Sequence, residues 1–138
     1  MKRFLFPLLA LALLFMPARA EPVPAIKTFS SGNVTNAAAV ATITSGGNNF
    51  AFITGFELTF AGATVGACVS PTVTGLLGGT ATYVVCSSTG ATLQGVPLIV
   101  KFDPPLKAAT INTSIVVTLP ALGAGNLFAS AVAHGYFE

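Results

Sequence analysis

Alternation of apolar and polar positions runs through this chain, and the stretch Phe50–Phe60 carries it most strongly. Phe50, Phe52, Thr54, Phe56, Leu58 and Phe60 fall on one face; Ala51, Ile53, Gly55, Glu57 and Thr59 fall on the other. A period of two predicts a strand with one buried face. A helix would mix the two sets and set Glu57 beside Phe50 and Phe60. Burying the five large apolar side chains of the first face would contribute roughly 8–15 kcal/mol before entropy is subtracted. Gly55 has no side chain to pack, which predicts a bend or bulge there.

The same pattern, weaker, recurs on both sides. Glu21-Pro-Val-Pro24 predicts an extended lead, because proline fixes φ and steers its predecessor away from helix. Ile26–Phe29 predicts a short edge strand, followed by a turn at Ser30–Asn33. Ala37–Thr44 mixes alanines, which favour helix, with Val40, Ile43 and threonines, which favour strand. It reads as a strand because the loop Ser45–Asn49 leads from it straight into Phe50. Pro97–Phe102 predicts a strand ended by Asp103-Pro-Pro105. Ile115–Leu119 and Leu127–Phe137 follow, separated by a Gly-rich turn at Pro120–Asn126. In the last strand Ala129, Ala131, Ala133 and Gly135 alternate with Phe128, Ser130, Val132, His134 and Tyr136. Seven to eight strands with no helix among them predict an all-β fold, an antiparallel β-sandwich of Ig-like or jelly-roll style.

The two cysteines fit a hairpin. Cys68 and Cys86 are equidistant from Leu77. With Leu76, Leu77 and Gly78 as a three-residue loop, Gly78 takes the left-handed position. Thr74 then faces Thr80, Thr72 faces Thr82, and Cys68 faces Cys86, predicting a cross-strand disulfide. Val69, Pro71, Val73, Ala81, Tyr83 and Val85 share one side of this hairpin. The threonines and the disulfide share the other, more polar side.

The first twenty residues change the charge argument. Lys2-Arg3, the apolar run Phe4–Met16 and Ala18-Arg19-Ala20 have the three parts of a secretory signal, with cleavage expected between Ala20 and Glu21. The apolar run is too short to span a bilayer, so no membrane association is expected once the leader is removed. The expected organisation is a signal helix over 1–20, an extended lead over 21–33 and a β-sandwich domain over 34–138. The mature chain would keep three lysines (Lys27, Lys101, Lys107) against four carboxylates (Glu21, Glu57, Asp103, Glu138), a net charge of −1. The basic balance of the whole chain belongs to the leader, and nucleic-acid binding loses its support. An exported protein, periplasmic or extracellular, is expected.

Little here points to catalysis. His134 is the one histidine, and nothing in the sequence sets it beside Asp103 or a nucleophile. No His/Cys/Asp cluster has metal-ligand spacing, and Gly78-Gly79 belongs to a hairpin, not to a phosphate loop. A thiol redox role lacks a C-x-x-C pair. Glu57, alone on a Phe-rich strand, reads as solvent-facing, opposite a threonine or Lys101. Asn33-Val-Thr35 and Asn112-Thr-Ser114 match the glycosylation sequon, but the leader is of bacterial type. No cofactor, no metal and no enzymatic activity are expected.

Phe52-Ile-Thr-Gly-Phe56, Thr74-Gly-Leu-Leu-Gly-Gly79, and Leu119–Asn126 followed by Ala131-Val-Ala-His-Gly135 together resemble small Gly/Ala/Thr-rich β-sandwich proteins of phage and prophage regions. Those are mostly virion-associated or of unknown role. The resemblance spans about residues 34–138 and implies a structural protein. The cysteine pair and the leader depart from it, and point to an exported relative at the cell surface or in the periplasm. The expected function is therefore that of a surface-associated structural protein that assembles with copies of itself. The alternative is a ligand-binding or adhesion module holding a glycan or cell-surface partner in the loops around Asn48-Asn49, Ser87–Thr92 and Gly123–Asn126.

Overall fold

The structure, a computed structural model, describes residues 24–138. The expected leader and its cleavage site at Ala20 and Glu21 lie outside the described residues. Eleven strands follow in order: β1 (Lys27–Ser30), β2 (Ala39–Ile43), β3 (Ala51–Ala63), β4 (Cys68–Val69), β5 (Thr72–Leu76), β6 (Gly79–Thr82), β7 (Val85–Cys86), β8 (Gly90–Gln94), β9 (Leu98–Lys107), β10 (Ile115–Leu119) and β11 (Phe128–Phe137). The described residues are all-β, with no helix.

Sheet A has the order β1-β11-β3-β8, with β9 also pairing with β3; sheet B has the order β2-β10-β5-β6; β4 and β7 form a separate short pair. All these strand pairings are antiparallel. Inward side chains of both sheets join in one apolar core: Ile53, Phe56, Leu58, Phe60, Ala129, Ala131 and Ala133 from sheet A, and Ala39, Ala41, Ile43, Val73, Ile115, Val117 and Leu119 from sheet B. The alternating small residues of the last strand thus face inward. They leave room for the phenylalanines of β3 beside them.

The Phe-rich strand is central, but its faces are not those of a uniform alternation. Ala51, Ile53 and Gly55 are buried, and then Phe56, Leu58 and Phe60 are buried. The cause is a bulge. His134 lies opposite Gly55 and Gly135 opposite Ile53, which leaves Thr54 unmatched. One extra residue reverses which parity points inward. Phe50 and Phe52, expected beside Phe56 in the core, therefore sit on the outer side and are only half-buried. The bend expected at Gly55 is present.

The hairpin keeps its expected register with a different tip. Cys68 lies opposite Cys86, Thr72 opposite Thr82 and Val73 opposite Ala81, yet Leu76 lies opposite Gly79. The loop is thus the two residues Leu77-Gly78, and Thr74 and Gly75 together oppose Thr80. The extra residue is absorbed in a bulge rather than in the loop, so the register below it is unchanged. The left-handed glycines are Gly75 (φ 81°) and Gly79 (φ 98°), not Gly78. Pro71, Val73 and Val85 point inward and the cysteines outward, as the face assignment expects.

Two further differences concern strand limits. β9 does not stop at Asp103-Pro-Pro105; its first part pairs with β3 at Gly55–Leu58 and its last part at Phe52–Ile53. The prolines occupy the register shift between the two, where no ladder donor is needed. Gly90–Gln94, expected to begin as loop, forms β8.

Candidate functional site

The outer face of sheet A gathers most of the polar chemistry. The bulge turns Thr54 Oγ1 toward the His134 carbonyl, to which it donates a hydrogen bond (3.1 Å). Two residues along on β11 and β3, Val132 lies opposite Glu57, so His134 and Glu57 are diagonal neighbours on one face. His134 Nε2 lies 3.8 Å from Glu57 Oε1. On its other side, Nδ1 lies 3.3 Å from the hydroxyl of Thr28 on β1. Lys101 of β9 is opposite Gly55, and Ile99 is opposite Glu57.

Gly55 forms the floor between these side chains. A Cβ there would come within 2.5 Å of the Val100 carbonyl oxygen, so this close approach of β9 requires glycine. The result is an open groove of about 340 Å³ walled by Ile26 and Ile99 and edged by Glu57, Lys101 and His134. Its groups can accept and donate hydrogen bonds to a polar ligand while the two isoleucines cover an apolar part.

An aromatic row adjoins the groove. Phe52 has Lys107 of β9 on one side and Tyr136 of β11 on the other. The Phe52 and Tyr136 rings stack at 5.0 Å and 6°. Lys107 Nζ lies 3.6 Å from the Phe50 ring centre and 6.0 Å from that of Phe52, within cation–π range. Burial and the nearby Glu138 carboxylate raise the Tyr136 phenol above its ordinary value.

His134 meets Glu57 and Thr28, not Asp103. Glu57 is exposed, but its cross-strand neighbours are Val132 and Ile99; Lys101 lies one row away. The signal that could have found this cluster is the bulge at Gly55. It brings His134 and Lys101 to opposite sides of one glycine.

Two of the three expected binding loops converge. Thr64 accepts the approach of Gly123–Asn126 through its amide and hydroxyl, both donating to the Ala124 carbonyl (3.1 and 2.6 Å). Gly66 donates to Thr89 Oγ1 (3.0 Å), tying in Ser87–Thr92. Asn48-Asn49 lies at the opposite end of β3, bonded to Asn112. Within the convergent pair, the Asn126 side chain is buried and both its amide atoms lack a protein partner.

Cys68 and Cys86 form a disulfide on the exposed side of the β4–β7 pair, which is compatible with an oxidising compartment. Among the described residues no group of three His, Cys, Asp or Glu side chains could hold a metal ion. No helix among them is long and apolar enough to cross a membrane. The chain matches no protein family, no curated protein and no solved structure.

Proposed function

We propose that the mature chain is an exported, non-catalytic structural protein, a β-sandwich of the phage-like kind described above, that associates with copies of itself at a surface or outside the cell. One observation carries this reading. The four strands of sheet B contain no charged residue, and their outward side chains are threonines and valines: Val40, Thr42, Thr72, Thr74, Thr82, Val116 and Thr118. A free-standing protein normally spreads charge over its whole surface, which keeps molecules apart. A whole uncharged face supports contact instead. The disulfide supports export, since such bonds persist in oxidising compartments.

Two measurements on secreted protein test this together. Non-reducing intact mass is expected to lack residues 1–20 and two hydrogens. Light scattering across a concentration series is expected to show an assembly larger than one chain. A strictly monomeric protein at high concentration refutes self-association, and a retained leader with free thiols refutes export.

The groove on sheet A favours a second reading, a secreted module that binds a glycan or a cell-surface partner. Hydroxyl-rich ligands suit the Glu57, His134 and Lys101 edge, and the Phe52–Tyr136 pair offers an adjacent aromatic surface. A glycan array without signal counts against the carbohydrate form of it.

A further inference from the structure

The two sheets end differently. In sheet A, β1 carries Lys27 and β9 carries Lys101, Asp103, Pro104, Pro105 and Lys107, while the five-residue β8 (Gly-Ala-Thr-Leu-Gln) carries neither charge nor proline. Charges and prolines of this kind are what natural sheets use to keep an edge from pairing with another chain. Sheet B ends in β2 (Ala-Val-Ala-Thr-Ile) and β6 (Gly-Thr-Ala-Thr), which carry neither.

The backbone polarity of both open edges follows from the ladder. Tyr83 N donates to the Pro71 carbonyl (2.9 Å), which makes 71 and 83 a hydrogen-bonded pair. Two residues on, Val73 and Ala81 are the next such pair, so Ala81 directs its backbone groups toward β5. Thr80 and Thr82 therefore direct theirs outward. The same alternation carried across β5 and β10 makes Ala41 and Val117 a bonded pair and turns Val40 and Thr42 outward. Each edge thus offers two N–H and two C=O groups, at i and i+2.

We propose that copies of this chain join through sheet B, β6 of one pairing with β2 of the next, so that the sheet continues from molecule to molecule. The partner is a second copy, and the inference rests on the self-association reading above while naming its surface. Three features fit it. Sheet B has four antiparallel strands, so β2 and β6 run in opposite directions; a copy translated along the sheet brings β6 beside β2 with the antiparallel order preserved. Val40, Thr42 and Thr82 all carry outward-facing side chains, so the joined edges keep their faces in phase. The contact joins different patches of the two copies and leaves one of each open, which produces a row rather than a closed dimer. Gly79, Thr80 and Thr82 of β6 are exposed; a groove of about 440 Å³ runs beside them, with Pro105, Leu106 and Lys107 of β9 on its far wall, and Leu77 N donates to the Lys107 carbonyl (2.9 Å).

The test uses secreted mature chain and proline at the outward amides, Thr82→Pro on β6 and Thr42→Pro on β2. Each removes one donor from an open edge and none from the existing ladder. Light scattering and negative-stain microscopy are expected to show extended rows for the parent, single chains for each variant alone, and a two-chain complex when the variants are mixed. Folding of each variant is checked by circular dichroism. Where a proline unfolds the chain, separate V40C and T82C variants replace it. Their mixture is expected to form an intermolecular disulfide, and neither alone. Self-dimers of T42P, or of T82C alone, would overturn the head-to-tail pairing. Parent rows that persist in both proline variants would overturn the edge proposal and leave self-association standing. A parent that stays a single chain would overturn both.

Discussion

Truncating Phe56 and Phe52 separately measures the bulge in β3. The uniform alternation of Phe50–Phe60 makes these two residues equivalent, both pointing into the core. The structure separates them. Phe56 is 1% exposed, with its ring 5.2 Å from Tyr83 and 6.1 Å from Phe102. Deleting such a ring costs about 3–5 kcal/mol, the transfer of its atoms plus the cavity left behind. Phe52 is half-buried on the outer side, and its main partner is the stacked Tyr136 ring. Losing that pair costs about 0.5–1.5 kcal/mol, and its partly buried area adds roughly 1 kcal/mol. Phe56→Ala is therefore expected to cost about 2 kcal/mol more than Phe52→Ala, from the difference of those ranges. Urea unfolding of both variants, with the disulfide intact and at concentrations where the chain is monomeric, reads this as a difference in midpoint. With a slope of ~2 kcal/mol/M it is about 1 M. Equal losses would refute the bulge and restore a strand with one continuous phenylalanine face.

Cys68→Ser with Cys86→Ser opens a loop with a sequence separation of 18, and in the chain-entropy model is expected to lower stability by ~3 kcal/mol with little change in core packing; a loss below ~1 kcal/mol in the same urea assay would contradict that account. Burial holds the Tyr83 phenol above its usual 10.0. A raised value means the folded state favours the neutral form, so its contribution is present below pH 10 and falls as pH rises through the folded value. Stability measured from pH 8 to 11 is expected to decline less steeply in Tyr83→Phe, and identical slopes would count against it.

Periodicity made the all-β class and most strand positions legible. Ile115–Leu119 and the cysteine register needed nothing more, because hairpin pairing follows from local symmetry about Leu77. The rest depended on single-residue irregularities. One extra residue at Thr54 exchanges Phe52 for Ile53 in the core, and alternation alone carries no mark of where such a residue is inserted; only Gly55 hinted at it. The hairpin shows the same effect in reverse. A bulge at Thr74-Gly75 and a two-residue loop give the same pairing below as a three-residue loop, so the cysteines are insensitive to the choice. The Glu57–His134–Thr28 cluster joins residues 106 positions apart, and its assembly depends on β1 pairing with β11, which no local pattern specifies.

Charge is divided between the sheets in a way that bears on both functional readings. Lys27, Glu57, Lys101, Asp103 and Lys107 all lie in sheet A strands, and Glu138 directly follows one. Sheet B has none. Charge on an outer face keeps that face hydrated and discourages stacking, while an uncharged Thr/Val face with open edges loses little hydration on contact. If copies join through sheet B, the groove of Glu57, His134 and Lys101 stays exposed on the other side of every molecule in the row. Assembly and ligand binding are then compatible. A ligand weak for one groove would meet many in parallel, and its apparent affinity would rise with row length. Thr82→Pro protein, with sheet A unaltered, is expected to bind any such ligand with the single-site affinity and without that gain. An equal affinity in parent rows and in the variant would separate the two surfaces functionally.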